Sequence, residues 1–251
     1  MTESHRPLSV VTGASSGIGL ELAREFAKHG FDLVVAADGD AIHRVAEELN
    51  AEAVQADLST PEGVGALHAQ VRHRQVTALA LNAGITARSD DLDRELELVD
   101  LNCRSLVHLA RLLTAEMAAA GRGRVLVTAS IADAFPGPHQ AAYNASKAFA
   151  RSFGIGLRHE LRDRGVSVTV LEPGPTDTPI FAKGDQETTL LAAALPKDSP
   201  TDVAQQAFEA LMAGRETVIA ASITSKATHL VSKLLPDAVT SRLTALVTKP
   251  R

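Results

Sequence analysis

Leu8-Ser9-Val10-Val11-Thr12-Gly13-Ala14-Ser15-Ser16-Gly17-Ile18-Gly19, followed by LELAREFAKHG over residues 20–30, runs from an apolar, β-branched segment through a glycine turn into a helical pattern. A turn of this kind brings backbone N–H groups against a pyrophosphate, and a Cβ at the closest positions would block that approach. Gly13, Ser15, Ser16, Gly17, Ile18 and Gly19 are therefore candidate phosphate-binding residues. Strand-to-helix turns also use glycine for structural reasons alone. The weight comes from position, because this turn ends the first strand and opens the first helix.

The same alternation continues downstream. Apolar runs at 8–11, 33–36, 53–55, 78–81, 125–128, 166–171 and 217–220 read as buried strands. Between them, 17–29, 41–50, 61–74, 91–120, 142–164 and 201–213 carry apolar positions at helical spacing. Parallel neighbours need crossovers, and right-handed crossovers place helices over the sheet. The order therefore predicts an α/β fold, a single Rossmann-type doubly wound parallel sheet of about seven strands with helices on both faces. Without a linker, a repeat or a low-complexity tract, residues 1–251 read as one dinucleotide-binding and catalytic domain. A substrate lid is expected around 179–199 and a helical C-terminal extension around 222–251.

Composition excludes several classes of function. A net charge of −5, from 25 basic and 30 acidic residues, argues against nucleic acid as partner. Gly121-Arg122-Gly123-Arg124 reads as a solvated turn rather than a phosphate-binding patch. No stretch approaches the roughly 18 apolar residues of a membrane span, and MTESHRPLSVVTG has no signal-peptide pattern. Cys103, the single cysteine, can form no internal disulfide and reads as a small buried residue in a protein of the reducing cytoplasm. His68 and His73 are five apart, off the helical spacing of a shared metal site, so no metal centre is expected.

The end of the second strand bears on the choice of cofactor, since a side chain there meets the adenosine ribose. The chain reads Val34-Val35-Ala36-Ala37-Asp38. A carboxylate accepts hydrogen bonds from both ribose hydroxyls and repels a 2′-phosphate, and no arginine or lysine stands at Ser15, Ser16, Ala37, Asp38 or Gly39. NAD(H) is favoured. Asp38 also reads as a solvated strand end or a cap for the helix at 41–50, and NADP(H) stays open.

Tyr143, the only tyrosine, and Lys147 are four residues apart at the start of a predicted helix and so share a face. A phenol with a pKa near 10 is a poor acid or base at neutral pH, and a cation beside it favours the phenolate. The bland alternative is core filling beside a surface charge.

With these motifs together, the chain resembles the short-chain dehydrogenase/reductase family, in its compact single-domain group with TGxxxGxG and YxxxK motifs. TGASSGIG over 12–19 matches the cofactor turn, Asp57-Leu58 the acidic pair at the adenine, and Asn82-Ala83-Gly84 the segment supporting the central sheet. Asn102 falls at the fourth catalytic position, Ser130 stands thirteen residues before Tyr143, and YNASK over 143–147 matches YxxxK. Pro173, Gly174, Thr176 and Thr178 match the segment that embraces the nicotinamide. Two departures stand out. Ala37 occupies the position where NAD-using members most often carry aspartate, and the tail SKATHLVSKLLPDAVTSRLTALVTKPR replaces a Gly-rich dimer-axis segment.

The resemblance implies an NAD(P)-dependent oxidoreductase that interconverts a secondary alcohol and a ketone, a small-molecule substrate. Tyr143 would be acid/base, Lys147 would lower its pKa and bind the nicotinamide ribose, Ser130 would donate to the substrate oxygen, and Asn102 would anchor a proton-carrying water. Ser130, Ile131, Ala132 and Tyr143 would face the substrate, with Asp133 and His139 as further polar contacts; His139 also reads as a surface loop residue. A homo-oligomer, dimer or tetramer, is implied as well. The contrasting reading is a nucleotide-binding regulator or scaffold without turnover. The tail reads as packed on its own fold or a second subunit, with membrane or partner contact as the alternative.

Overall fold

Val10, Val34, Leu79, Val125 and Val170 point into one apolar layer, and their chain neighbours Val11, Val35, Ala80, Leu126 and Leu171 into another. That alternation is the two-residue period of strands buried on both faces. The computed structural model describes residues 6–87, 90–134, 136–180, 197–220, 236, 240–242 and 245.

The elements are β1 (Leu8–Thr12), α1 (Gly17–Lys28), β2 (Asp32–Ala37), α2 (Ala41–Leu49), β3 (Glu52–Gln55), α3 (Pro61–Val71), β4 (Val76–Leu81) and α4 (Leu92–Val99). A π-turn over Asp100–Ser105 leads into α5 (Leu106–Ala119) and β5 (Gly123–Thr128). A 3-10 turn (Ile131–Ala134), α6 (Ala141–Leu161), β6 (Val166–Leu171), α7 (Pro200–Met212) and β7 (Thr217–Val218) complete the order. All sheet neighbours are parallel, in the order β3-β2-β1-β4-β5-β6-β7. The order reverses between β1 and β4, and the carboxyl ends of these strands open the crevice where such sheets hold ligands.

One core lies under α3, α5 and α6, through Leu67, Leu113 and Leu157. The other lies under α1, α2 and α7, where the Phe26 ring stands 5.1 Å from Phe31 and 5.2 Å from Phe208, edge to face. Burying Phe26 fully contributes about 2–3 kcal/mol.

Two elements differ from expectation. The helix expected over 91–120 is α4 and α5 joined by the π-turn, whose wider winding puts Asn102 within reach of the backbone of Ile85. The seventh strand pairs over two residues only, although its exit still runs beside β6, with Gly174 N donating to Ala220 O at 3.2 Å. Arg122 and Arg124 are exposed, as the solvated-turn reading expects.

Of the expected lid, residues 181–196 lie outside the described residues, and of the C-terminal extension only 236, 240–242 and 245 are described. There Thr240 is buried and Ser241 Oγ donates to Pro136 O at 2.9 Å, so this part of the tail packs on its own fold. Among the described residues, no helix is long and apolar enough to cross a membrane.

Candidate active site

The glycine turn is built for an approach by backbone. Gly13 and Gly17 have φ of +67° and +56°, in the left-handed region that favours glycine. A Cβ on Gly19 would stand 2.1 Å from Gly13 O, and one on Gly17 would stand 2.9 Å from Thr178 Cγ2. Ser16 begins α1 in extended conformation with no capping hydrogen bond from its side chain, and the first turn carries no acid. The leading N–H groups of α1 are thus presented beside Ser15, Ser16, Gly17 and Ile18, and this cradle fits a pyrophosphate.

Behind the cradle the carboxyl ends of three strands are laced together. Thr12 Oγ1 accepts from Asn82 N and Ala83 N, both at 3.0 Å, and donates to Ala80 O at 3.3 Å. Asn82 Nδ2 donates to Thr12 O at 3.2 Å, and Asn82 Oδ1 accepts from Thr128 Oγ1 at 3.2 Å. Asn82 therefore joins β1, β4 and β5. Thr12 opens the TGASSGIG turn but was not itself expected to lace the strands together, and Thr128 was not among the expected site residues; its only sequence signal was a hydroxyl at the end of an apolar run.

From the π-turn, Asn102 clasps the backbone of Ile85: Oδ1 accepts from Ile85 N at 3.0 Å and Nδ2 donates to Ile85 O at 2.9 Å. Nδ2 also reaches Ser146 Oγ at 3.0 Å, and Ser146 Oγ donates to Tyr143 O at 2.7 Å. A Cβ on Gly84 would lie 3.1 Å from Asn102 Oδ1 and 3.3 Å from Lys147 Nζ. The π-turn, the β4 exit and α6 thus converge on one point.

Tyr143 and Lys147 share a face at the start of α6, as their spacing predicts. The Tyr143 hydroxyl is hydrogen-bonded to the Ser130 side chain. Burial raises the phenol above its ordinary value, and the bond to Ser130 partly offsets this. Lys147 Nζ lies 5.8 Å from the phenol ring centre and donates to Thr128 O at 3.2 Å. Ser130 is the group whose bond lowers the phenol here. Burial lowers Lys147 itself to about 8, and nearby Cys103 opposes that shift. Cys103 is half-buried, with its thiol pushed up by burial.

Ser130 Oγ accepts from Ala132 N at 3.1 Å, and Ile131 N donates to Pro173 O at 3.1 Å. Ile131, Ala132 and the segment from Pro173 thereby flank Ser130. Within that segment Thr176 Oγ1 donates to Gly174 O at 2.9 Å. Asp133 does not point out as a substrate contact: its carboxylate, 4% exposed, faces Arg151 Nε at 3.2 Å. His139 is an exposed left-handed turn residue with φ of +67°.

At the adenosine end, Asp38 is exposed just past β2, and its carbonyl accepts from Gln55 Nε2 at 3.3 Å. Asp57 Oδ1 accepts from Ser59 N at 2.9 Å and Ser59 Oγ at 2.6 Å, and Leu58 is buried.

A family model described as short chain dehydrogenase matches residues 8–189. The chain is 39% identical over 188 residues to 1-deoxy-11-beta-hydroxypentalenate dehydrogenase of Streptomyces exfoliatus, covering 68% of each chain. Among solved structures it resembles a short-chain dehydrogenase from Sphingobium yanoikuyae in complex with NADPH, at 26% identity and a TM-score of 0.78, covering 85% of this chain and 87% of that one. It also resembles a short chain dehydrogenase/reductase from Burkholderia phymatum in complex with NAD, at 26% identity and a TM-score of 0.82, covering 100% of this chain and 99% of that one.

Proposed function

This chain belongs to the short chain dehydrogenase family and is an NAD(P)-dependent oxidoreductase; from that premise we propose that it interconverts a secondary alcohol and a ketone, with Tyr143 as general acid and base. The observation that carries this reading is the half-buried Tyr143, its hydroxyl bonded to Ser130, with Lys147 one helical turn away.

The bound nicotinamide supplies or takes up the hydride. Tyr143 carries its proton at neutral pH as any phenol does, burial reinforces this, and that proton is the one a ketone oxygen takes as charge develops there. Ser130 donates to the same oxygen, an oxyanion-type contact. Lys147 carries the ammonium that bonds the nicotinamide ribose. Asn102, fixed on Ile85 and Ser146, anchors a water that carries protons from Lys147 toward solvent. In the oxidative direction Tyr143 must first ionise, so alcohol oxidation should rise with pH and ketone reduction should fall.

Gly13, Ser15, Ser16, Gly17, Ile18 and Gly19 hold the pyrophosphate, Asp57 and Leu58 the adenine, and Asn82, Ala83 and Gly84 with Pro173, Gly174, Thr176 and Thr178 the nicotinamide side. Asp38 selects NAD(H) over NADP(H) through the ribose hydroxyls. Ile131 and Ala132 line the substrate side with Ser130 and Tyr143. The whole chain works as one catalytic unit, and 179–199 serves as its lid.

Leu92, Leu96 and Val99, exposed by 68%, 54% and 43%, follow one another along one face of α4, and Phe149 is 41% exposed on the adjoining α6. This apolar face supports a homo-oligomer built by a second copy meeting the same face. The lone cysteine supports a cytoplasmic location.

The test is Tyr143→Phe, assayed with NADH and NADPH on a panel of ketones. Turnover should fall by about a hundredfold or more. NADH affinity, read by nicotinamide fluorescence in a chain without tryptophan, should stay within about twofold. Turnover equal to the unmodified protein would overturn the assignment.

A further inference from the structure

Arg151 lies one helical turn beyond Lys147 on α6 and grips two carboxylates that come from different parts of the chain. Its Nε stands 3.2 Å from Asp133 Oδ2 and 3.3 Å from Glu172 Oε1. Those carboxylates are only 4% and 2% exposed, whereas the Arg151 side chain is 37% exposed. Two acids this well covered are paired, and Arg151 faces both.

What the acids are attached to gives the arrangement its meaning. Asp133 belongs to the 3-10 turn (Ile131–Ala134) that follows Ser130, and its N–H donates to Ser130 O at 3.1 Å. Glu172 follows β6 and directly precedes Pro173-Gly174; its N–H donates to Val218 O at 2.9 Å. Among the described residues, the ionisable groups gathered around this corner include Tyr143, Lys147 and Arg151 on α6, Cys103 on the π-turn, Asp133, and Glu172.

We propose that Arg151 is a positioning residue: by holding Asp133 and Glu172 together it fixes the Ser130 turn and the 173–178 segment against the helix that carries Tyr143 and Lys147. This rests on the reading of Ser130 and Tyr143 given above. Arg151 meets both acids through one nitrogen, Nε, held in a rigid planar guanidinium, whereas a lysine ammonium at the end of its flexible stem could supply the charge but not that fixed position.

Tyr143 provides the readout, because the chain holds one tyrosine and no tryptophan and the phenolate absorbance is therefore its own. The titration is run on the unmodified protein, on Arg151→Lys, and on the triple variant Asp133→Asn, Arg151→Met, Glu172→Gln, with circular dichroism followed at each pH. The triple variant leaves no unpaired charge, so it retains a route to folding if Arg151→Lys does not. It also takes the formal charge of the cluster from −1 to 0, which on electrostatics alone lowers the phenol midpoint. Loosening of Ser130 raises it.

The expected result is a midpoint higher by about half a pH unit in whichever variant keeps the native circular dichroism. NADH affinity should weaken by about two- to threefold by fluorescence titration, since the glycine cradle is untouched but the 173–178 segment assigned to the nicotinamide side is loosened. A midpoint that is unchanged or lower in a folded variant overturns the proposal, as does failure of both variants to fold, which makes the cluster structural only. Neither readout needs turnover, so failure of Arg151 as a positioning residue is distinguishable from failure of Tyr143→Phe to lose activity.

Discussion

Lys147 Nζ donates to the main-chain carbonyl of Thr128 at 3.2 Å, so the ammonium is fastened to the exit of β5 rather than to the phenol beside it. Burial moves this lysine from its ordinary 10.5 to about 8. A lysine whose folded value is depressed costs stability wherever it must be protonated. The cost is full below about 8, shrinks as pH rises, and is gone above 10.5. It amounts to on the order of 3 kcal/mol. Lys147→Met should therefore raise stability at neutral pH by about 2 kcal/mol, allowing about 1 kcal/mol for the lost bond to Thr128. The gain should fade on titration toward 10.5 while turnover is lost at every pH. Denaturant melts at neutral and alkaline pH check it; equal gains at both, or a larger gain at alkaline pH, would overturn it.

Gly17→Ala should damage the cradle without unfolding the protein. The left-handed φ of +56° costs an alanine about 1–2 kcal/mol, and its Cβ would press on Thr178 Cγ2 from 2.9 Å. NADH affinity should fall by about tenfold, and thermal melting should record the loss of stability. Unchanged affinity would remove the turn from the cofactor site.

Asp38→Ala should weaken NADH binding by about tenfold, about 1.4 kcal/mol, and strengthen NADPH binding. Paired fluorescence titrations measure both. If the unmodified protein already prefers NADPH, Asp38 is a strand-end residue and the preference is set elsewhere.

Leu96→Arg places a charge in the middle of the exposed α4 face. Like charges facing across a two-fold contact oppose association, so the variant should elute at the mass of one chain in light-scattering chromatography. An unchanged mass would move the interface to another surface.

The central strands were legible because they are buried on both sides, and the edge strand β3, only half-buried at Ala53 and Val54, stood out by its short apolar run between polar flanks. The glycine turn and the Tyr143–Lys147 pair were legible because their chemistry depends on close spacing along the chain. Asp133, Arg151 and Glu172 come from three separate elements, and only the fold makes them neighbours. The Thr128 carbonyl that holds Lys147 had no side-chain signature to read. The π-turn was hidden for another reason, since one wider turn barely disturbs apolar periodicity over a long helix.

That wider turn couples two surfaces that share no contact. An ordinary helical residue advances the winding by about 100°, so shortening Asp100–Ser105 by one residue rotates everything before it by that angle relative to everything after. Asn102 could then keep its clasp on Ile85, or the Leu92, Leu96 and Val99 stripe could keep its outward direction, but not both. The number of residues between the stripe and α5 is thus a phase setting, fixed jointly by the inner and outer faces of the protein, and it constrains insertions and deletions there more tightly than it constrains the identity of the residues.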